Sequence, residues 1–298
     1  RIIMVLAVIG LGSVGYFYSE GLIANGAQVK GYDIMVGRPE FAQRVEQCQE
    51  IGIQVVSGMG ELIRDAGMVM AVTTAASAYK TAASAKPFLR SGQIYIELNS
   101  AVPRVKKEIE ALLEGIDVVD GTTMSSVNQV KYRAEINFSG KRAKEVVDTL
   151  KGYGMNAHYL GDAVGKACAL KSVRSIFMKG YEAVLMECFQ AAEHYGITDE
   201  MAASIAAYFD ARPFDEHLSL FITTNAIFAQ RRGEEVAAVA DMLREDGLNG
   251  IMAQAAADKL LWLSSLGLKE VYRNDAPKDR YAVLKELVVR EARQGGQK

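Results

Sequence analysis

The residues with the most evident chemical purpose are Gly10-Leu11-Gly12-Ser13-Val14-Gly15, a G-x-G-x-x-G string set between an apolar run and a helical pattern. Gly10 permits a tight turn, Gly12 lets the backbone approach a pyrophosphate, and Gly15 lets the helix pack on the preceding strand. A helix that begins here offers free N–H groups and a partial positive charge to phosphate oxygens. Asp33 follows eighteen residues beyond Gly15, ending the run Val29-Lys30-Gly31-Tyr32-Asp33. An acid at that place accepts a hydrogen bond from a ribose 2′-hydroxyl. The plainer alternative is a glycine-rich turn and a strand-end aspartate with no ligand, but the strand–turn–helix context and the spacing favour a dinucleotide. The charge on Asp33 would repel a 2′-phosphate, which favours NAD over NADP. Arg38, five residues on, leaves NADP open.

These residues need a scaffold, and the sequence supplies a regular one. Strand patterns lie at Ile2–Ile9, Gln28–Asp33, Ile53–Val56, Met68–Val72, Gln93–Glu97, Ile116–Asp120, Glu135–Phe138 and Met155–Leu160. Helical patterns alternate with most of them, at Val14–Asn25, Glu40–Glu50, Ala75–Phe88, Pro103–Glu114 and Lys141–Lys151. Such alternation predicts βαβ units and a mainly parallel sheet covered on both faces, an α/β Rossmann-type domain over residues 1–160. From Gly161 onward the strand signal stops. A continuous helical pattern runs from Ala163 to Tyr195, followed by Asp199–Phe209, Phe214–Gln230, Glu234–Glu245, Gly250–Leu266 and Asp279–Glu291. Residues 161–298 are therefore expected to form an all-α domain, joined to the first by the long helix. Tyr208, Phe209 and Trp262 read as helix-packing aromatics.

With these features together, the chain resembles the β-hydroxyacid dehydrogenase superfamily, which includes 3-hydroxyisobutyrate and 6-phosphogluconate dehydrogenases. The resemblance covers nearly the whole chain. It implies that the loops Val72-Thr73-Thr74 and Asn99-Ser100-Ala101-Val102-Pro103 line the cofactor and substrate cleft. It also implies that Asp120-Gly121-Thr122-Thr123-Met124-Ser125-Ser126 stands where the family has D-A-P-V-S-G-G. Gly165, with Lys171 six residues later, fits the family's glycine-preceded catalytic lysine. There are departures. The family's substrate-binding serine falls on Met124, its two glycines on Ser125 and Ser126, and the asparagine that follows its lysine on Ser175. Together with Arg174 and the Arg231-Arg232 pair, these suggest a poorly characterised branch of phosphogluconate-dehydrogenase-like NAD-binding proteins.

The chemistry implied is hydride transfer between a nicotinamide cofactor and a small β-hydroxyacid or its carbonyl form. Such a reaction needs a group that takes and returns the hydroxyl proton. A free lysine, with pKa ~10.4, is a poor base at neutral pH. Burial in an interdomain cleft beside a cationic nicotinamide ring, and Arg174 nearby, would disfavour its charged form. Positions 171, 174, 175 and 178 share one helix face, so Lys171 can act on the hydroxyl while Arg174 clamps an acid group. Ser175 would replace the family's asparagine, and Arg232 stands where relatives place a lysine near the nicotinamide. From spacing alone, Lys171, Arg174, Lys179 and Glu182 read as the solvated stripe of an amphipathic helix. The matched glycine and first domain favour the catalytic reading. Two alternatives remain at this stage, an imine reductase-like enzyme and a cofactor-binding regulator without turnover. Retention of Lys171 argues against the former, while the altered serine-glycine-glycine segment motivates the latter.

Composition narrows the field further. There are 34 Lys+Arg against 36 Asp+Glu, a net charge of −2, so no basic excess marks a nucleic-acid footprint. Cys48, Cys168 and Cys188 are odd in number and widely spaced, and His158, His194 and His217 are scattered. Neither a disulfide framework nor a metal site is expected, and a reducing cytoplasm fits. The run Ile2–Ser19 carries no charge, yet its apolar part ends at Ile9 and three glycines follow within six residues. Its β-branched residues favour a buried strand, so no membrane span is expected. The chain opens on Arg1 rather than Met, and a few residues are expected before it. The alanine- and leucine-rich helical half, as in relatives, suggests a homodimer.

Overall fold

The computed structural model describes residues 4–273 and 275–295, so Ile2 and Ile3 of the expected first strand lie outside the described residues. Eight strands follow in chain order: β1 Val5–Ile9, β2 Gln28–Tyr32, β3 Gln54–Val55, β4 Ala66–Ala71, β5 Ile94–Glu97, β6 Asp117–Thr123, β7 Ile136–Ser139 and β8 Ala157–Tyr159. Between them run α1 Ser13–Ala24, α2 Ala42–Glu50, α3 Met59–Ile63, α4 Ala78–Ala85, α5 Pro103–Leu112, α6 Val127–Val130 and α7 Ala143–Gly152. After β8 come α8 Lys166–Tyr195, α9 Thr198–Asp210, α10 Phe214–Glu245, α11 Ile251–Ser265, α12 Leu268–Val271 and α13 Arg280–Gly295.

The strands form a single sheet in the order β3-β2-β1-β4-β5-β6-β7-β8. All neighbours are parallel except β6 and β7, which run antiparallel. The sheet is covered on both faces, as the β-branched runs require. Alternate residues divide between two cores. Leu6, Val8, Met68, Met70, Ile94 and Ile96 pack on one side, and Ala7, Ile9, Val69, Ala71 and Tyr95 on the other. β6 continues to Thr123 rather than stopping at Asp120, because residues 120–123 pair with β7.

The chain divides into two compact units at Ile176–Phe177, inside α8, rather than near residue 160. The first turn of α8 belongs to the sheet unit because Asp120 and Ser139 bind its backbone. Asp120 Oδ2 accepts from Gly165 N at 3.2 Å and Cys168 N at 2.9 Å, and Ser139 Oγ accepts from Ala167 N at 2.9 Å.

In the second unit every described element is helical, and α10 and α11 pack against each other. The expected gap between Gln230 and Glu234 is absent; α10 runs unbroken from Phe214 to Glu245. Gly233, which reads in sequence as a weak point, is instead a contact point. A Cβ there would meet Leu261 Cγ at 2.9 Å and Cδ2 at 3.0 Å. Gly233→Ala should gain ~1 kcal/mol of helix propensity and lose ~1–3 kcal/mol to overpacking. We expect a net loss, read as a lower urea midpoint of the helical signal. A more stable variant would show that α11 yields at this contact.

Candidate functional site

The site is built at the carboxyl ends of the parallel strands, at the point between β1 and β4 where strand order reverses. Gly10 leaves β1 with φ +101°, and its N–H donates to Tyr32 O at 2.8 Å. A side chain at Gly10 would strike Val72 O at 2.6 Å, and one at Gly15 would strike the Gly10 carbonyl. Nothing lies within 4 Å of a Cβ built on Gly12, so that backbone faces open space. No side chain caps the N-terminus of α1, which leaves its first N–H groups directed at that space.

Two clefts meet over this loop and share Val72 and Thr73. One, of about 410 Å³, is bounded by Gly10, Gly12, Tyr32, Asp33, Ile34, Met59, Thr74 and the α4 residues Lys80, Thr81 and Ser84. Asp33 is held before any ligand arrives, its two oxygens accepting from Leu11 N at 2.8 Å and Met35 N at 2.9 Å. Thr74 and Ser77 form a reciprocal cap at the start of the following turn. Arg38 is exposed and does not line the cleft, where Lys80 is the sole cation among the described lining residues. Leu11 contributes backbone only; its side chain is fully buried.

The second cleft, of about 260 Å³, is lined by Ser13, Val14, Leu98, Asn99, Ser100, Thr123, Ser125, Val127, Asn128 and Lys171. Lys171 Nζ donates to Ser100 Oγ at 3.3 Å. Burial pushes the Lys171 pKa below its ordinary value, and the nearby Lys106 charge adds to this. Asn99 is buried and lines the cleft; its Oδ1 accepts from Thr73 Oγ1 at 3.4 Å, while Nδ2 has no partner among the described residues.

Several expected substrate residues are placed otherwise. Met124 and Ser126 are absent from the described lining. Met124 donates its N–H to Glu135 O at 2.8 Å, and Ser126 precedes α6 as its N-terminal cap position. Ser175 Oγ donates back to Lys171 O at 3.0 Å, so its hydroxyl is engaged by its own helix. Arg174 is exposed one turn beyond Lys171. Arg232, in the second unit, donates to Thr224 Oγ1 at 2.9 Å and Asn225 Oδ1 at 2.6 Å.

Sequence reasoning missed Thr123 and Asn128 in the cleft, and it missed the charged group beneath it. The register of β5 and β6 sets Glu97 directly beside Asp120. Lys106 of α5 reaches between them, and all three side chains are fully buried. Its Nζ donates to Glu97 O at 2.6 Å and Gly121 O at 3.3 Å, and lies 3.5 Å from Glu97 Oε1 and 3.2 Å from Asp120 Oδ1. The Asp120 contact lacks hydrogen-bond geometry and is a charge–charge approach. Burial raises the Glu97 pKa against the pull of Lys106. A signal was present: Lys106 falls on the same face of α5 as Ile109 and Leu113, where a solvated lysine does not belong.

An open glycine loop at an uncapped helix start, an acid at the second strand end and a lysine in the adjoining cleft define a dinucleotide-binding α/β protein. The family described as the NAD binding domain of 6-phosphogluconate dehydrogenase matches residues 5–154, and the chain belongs to it; a domain of unknown function matches residues 192–263. This is a superfamily of NAD(P)-dependent oxidoreductases, and a nicotinamide dinucleotide is its cofactor class. A conserved hypothetical protein from Sinorhizobium meliloti is 26% identical, with 97% of each chain covered and a TM-score of 0.66. An imine reductase from Bacillus cereus is 17% identical over 91% of this chain and 100% of that one, with a TM-score of 0.74. A 3-hydroxyisobutyrate dehydrogenase from Mycobacterium tuberculosis is 16% identical over 96% and 99%, with a TM-score of 0.62. The last two share the fold. No helix among the described residues is long and apolar enough to cross a membrane.

The lowered pKa of Lys171 has a stability consequence with a definite sign. Below that lowered value the folded state holds an ammonium less readily than the unfolded chain, and the difference vanishes above the ordinary lysine range. Lys171→Met should therefore stabilise the protein slightly at pH 7, by up to about 0.5 kcal/mol after solvent screening. The gain should disappear as pH rises past the ordinary lysine value. Urea titrations at both pH values check this; a loss at pH 7 would make Lys171 a structural residue.

Proposed function

We propose that the protein is an NAD-dependent oxidoreductase that passes hydride between its cofactor and a small β-hydroxyacid or the corresponding carbonyl acid. The observation that carries this reading is the half-buried Lys171 amine, bonded to Ser100, in a cleft continuous with the glycine loop. The nicotinamide ring supplies the hydride acceptor or donor. Gly10 to Gly15 would hold the pyrophosphate through backbone N–H groups, and Asp33 would accept from the adenosine ribose hydroxyls. Asp33 disfavours a 2′-phosphate, which supports NAD; Lys80 is the lining cation that a phosphate would have to recruit instead.

Lys171 is the proton carrier. Burial lowers its proton affinity, so a larger fraction of the amine is free to accept a hydroxyl proton near neutral pH. Ser100 orients it, and Thr123, Ser125 and Asn128 offer neutral hydrogen bonds to the substrate's polar groups. Arg174, exposed one turn on, is the candidate for meeting an anionic group. The buried state of Cys168, whose thiol is pushed up to about 12 mainly by burial, argues against thiolate chemistry at this helix start. Three free cysteines support a reducing compartment such as the cytoplasm.

The test is titration with NADH and NADPH, followed by absorbance assays on hydroxyacids, sugar acids and imines. NADH should bind more tightly, and Asp33→Ala should narrow the ratio; tighter binding of NADPH to the parent protein would overturn the assignment of Asp33. Lys171→Met should lower kcat by roughly 10²–10⁴ with cofactor binding retained. Turnover unchanged in that variant would remove the lysine from the mechanism, and binding without turnover on any substrate would favour a regulator. We further propose a homodimer formed through the helical half. Ile176, Phe177, Met178 and Val184 are exposed on α8, and no described residue of α9 is buried. Sedimentation at micromolar concentration should give twice the chain mass, and a monomer would contradict it.

A further inference from the structure

The buried group Glu97, Lys106 and Asp120 has no part in the reading above, yet it sits where the lysine helix starts. Two carboxylates side by side on parallel strands repel each other, and neither reaches water. Lys106 answers that repulsion, and Asp120 spends its other oxygen on Gly165 N and Cys168 N. Cys168 precedes Lys171 by three residues, close to one helical turn. The network thus fixes the origin of α8 and brings the Lys106 side chain close to the cleft.

We propose that Lys106 is a positioning residue for Lys171, anchoring the helix through Asp120 and setting, together with Glu97, the charge field in which the Lys171 amine gains and loses its proton. The inference deepens the proposed reaction and rests on Lys171 as its proton carrier. The charged group that acts on that amine is Lys106 on α5. Lys106 is itself held by Glu97 on β5 and Asp120 on β6, while Lys166 and Arg174 are the neighbouring cations along α8. The Lys107 side chain approaches Gly165, and the cleft residues Ser13, Ser100, Thr123, Ser125 and Asn128 are neutral. Burial and the Lys106 charge both act to weaken proton binding at Lys171. Glu97, of opposite charge, lies 3.5 Å from the Lys106 ammonium, and that opposition gives the proposal its signature.

The experiment reads Lys171 directly, without substrate. The folded full-length protein is reductively methylated with ¹³C-formaldehyde, and the Lys171 resonance, identified by its loss in Lys171→Met, is titrated against pH. Lys106, fully buried, escapes labelling. Lys106→Met should move the Lys171 midpoint upward, Glu97→Gln should move it downward, and the double variant should return toward the parent value. Glu97→Gln keeps an oxygen to accept from Asn99 N, now 2.8 Å away, so it remains informative if Lys106→Met does not fold. Midpoints unchanged in folded variants, or moving in the same direction, would reduce Lys106 to a purely structural role. If turnover is found, the pH profile of kcat should follow the same order. If none is found but the midpoints move as stated, the oxidoreductase reading fails while the control of the Lys171 amine by Lys106 stands.

Discussion

The arrangement turns on one electrostatic problem, two acids forced into register at the buried end of the sheet. β5 and β6 are parallel neighbours, and their pairing leaves no freedom to separate Glu97 from Asp120. In a dry interior, like charges at this spacing are tolerated only with a cation between them or a proton on one. Lys106 supplies the cation, and it donates hydrogen bonds to the Glu97 and Gly121 carbonyls as well. Removal of one member of such a buried set costs ~3–5 kcal/mol, because the remaining charges lose their compensation. The group is therefore poorly explained as a source of stability, since a hydrophobic trio of similar volume would serve at least as well. What it adds is direction: each carboxylate uses a second oxygen or lone pair to bind backbone that leads to the cleft.

Those second contacts form the site. Glu97 Oε1 accepts from Asn99 N, which turns the loop that carries Asn99 and Ser100. Asp120 Oδ2 accepts from the start of α8, which carries Lys171. The Lys171–Ser100 hydrogen bond is thus made between two segments tied to the same buried ammonium. The cofactor side is ordered by different means, because a pyrophosphate needs backbone N–H groups and space. There the constraints are chiefly steric, Gly10 against Val72 and Gly15 against Gly10, with one hydrogen bond from Leu11 N to Asp33 holding the loop. One half of the site is set by charge and the other by the absence of side chains.

This difference explains what could be read from sequence. The glycine loop, Asp33 and all eight strands were legible because each is a local pattern: β-branched runs, a spaced glycine string, an acid at a strand end. The continuity of α10 was not, since Gly233 looks like a break until Leu261 is known to lie against it. The antiparallel turn of β7 was hidden for a related reason, because strand direction depends on the connection and not on composition. Glu97 and Asp120 lie 23 positions apart and Lys106 between them, and nothing local says that they meet. Only the misplaced lysine on the apolar face of α5 hinted at it. Lys171 itself needed the family resemblance, since periodicity alone describes it as part of a solvated stripe.

The departures from the family pattern now acquire a physical content. Ser175 is bonded to the carbonyl of Lys171, so its hydroxyl is spent on its own helix and does not line the cleft. Met124 contributes a ladder hydrogen bond to the β6–β7 pair, which leaves Thr123 and Ser125 on either side to line the cleft. The polar groups that line the cleft with Lys171 are hydroxyls and amides, which can both accept and donate. Ser100 accepts from the amine when it is charged and can donate to it when it is not, a reversal that a carboxylate in its place would forbid. A carboxylate there would also stabilise the ammonium and oppose the effect of burial. A neutral, rotatable partner beside a half-buried lysine near the Lys106 charge leaves that amine free to hold or release a proton without losing its hydrogen bond.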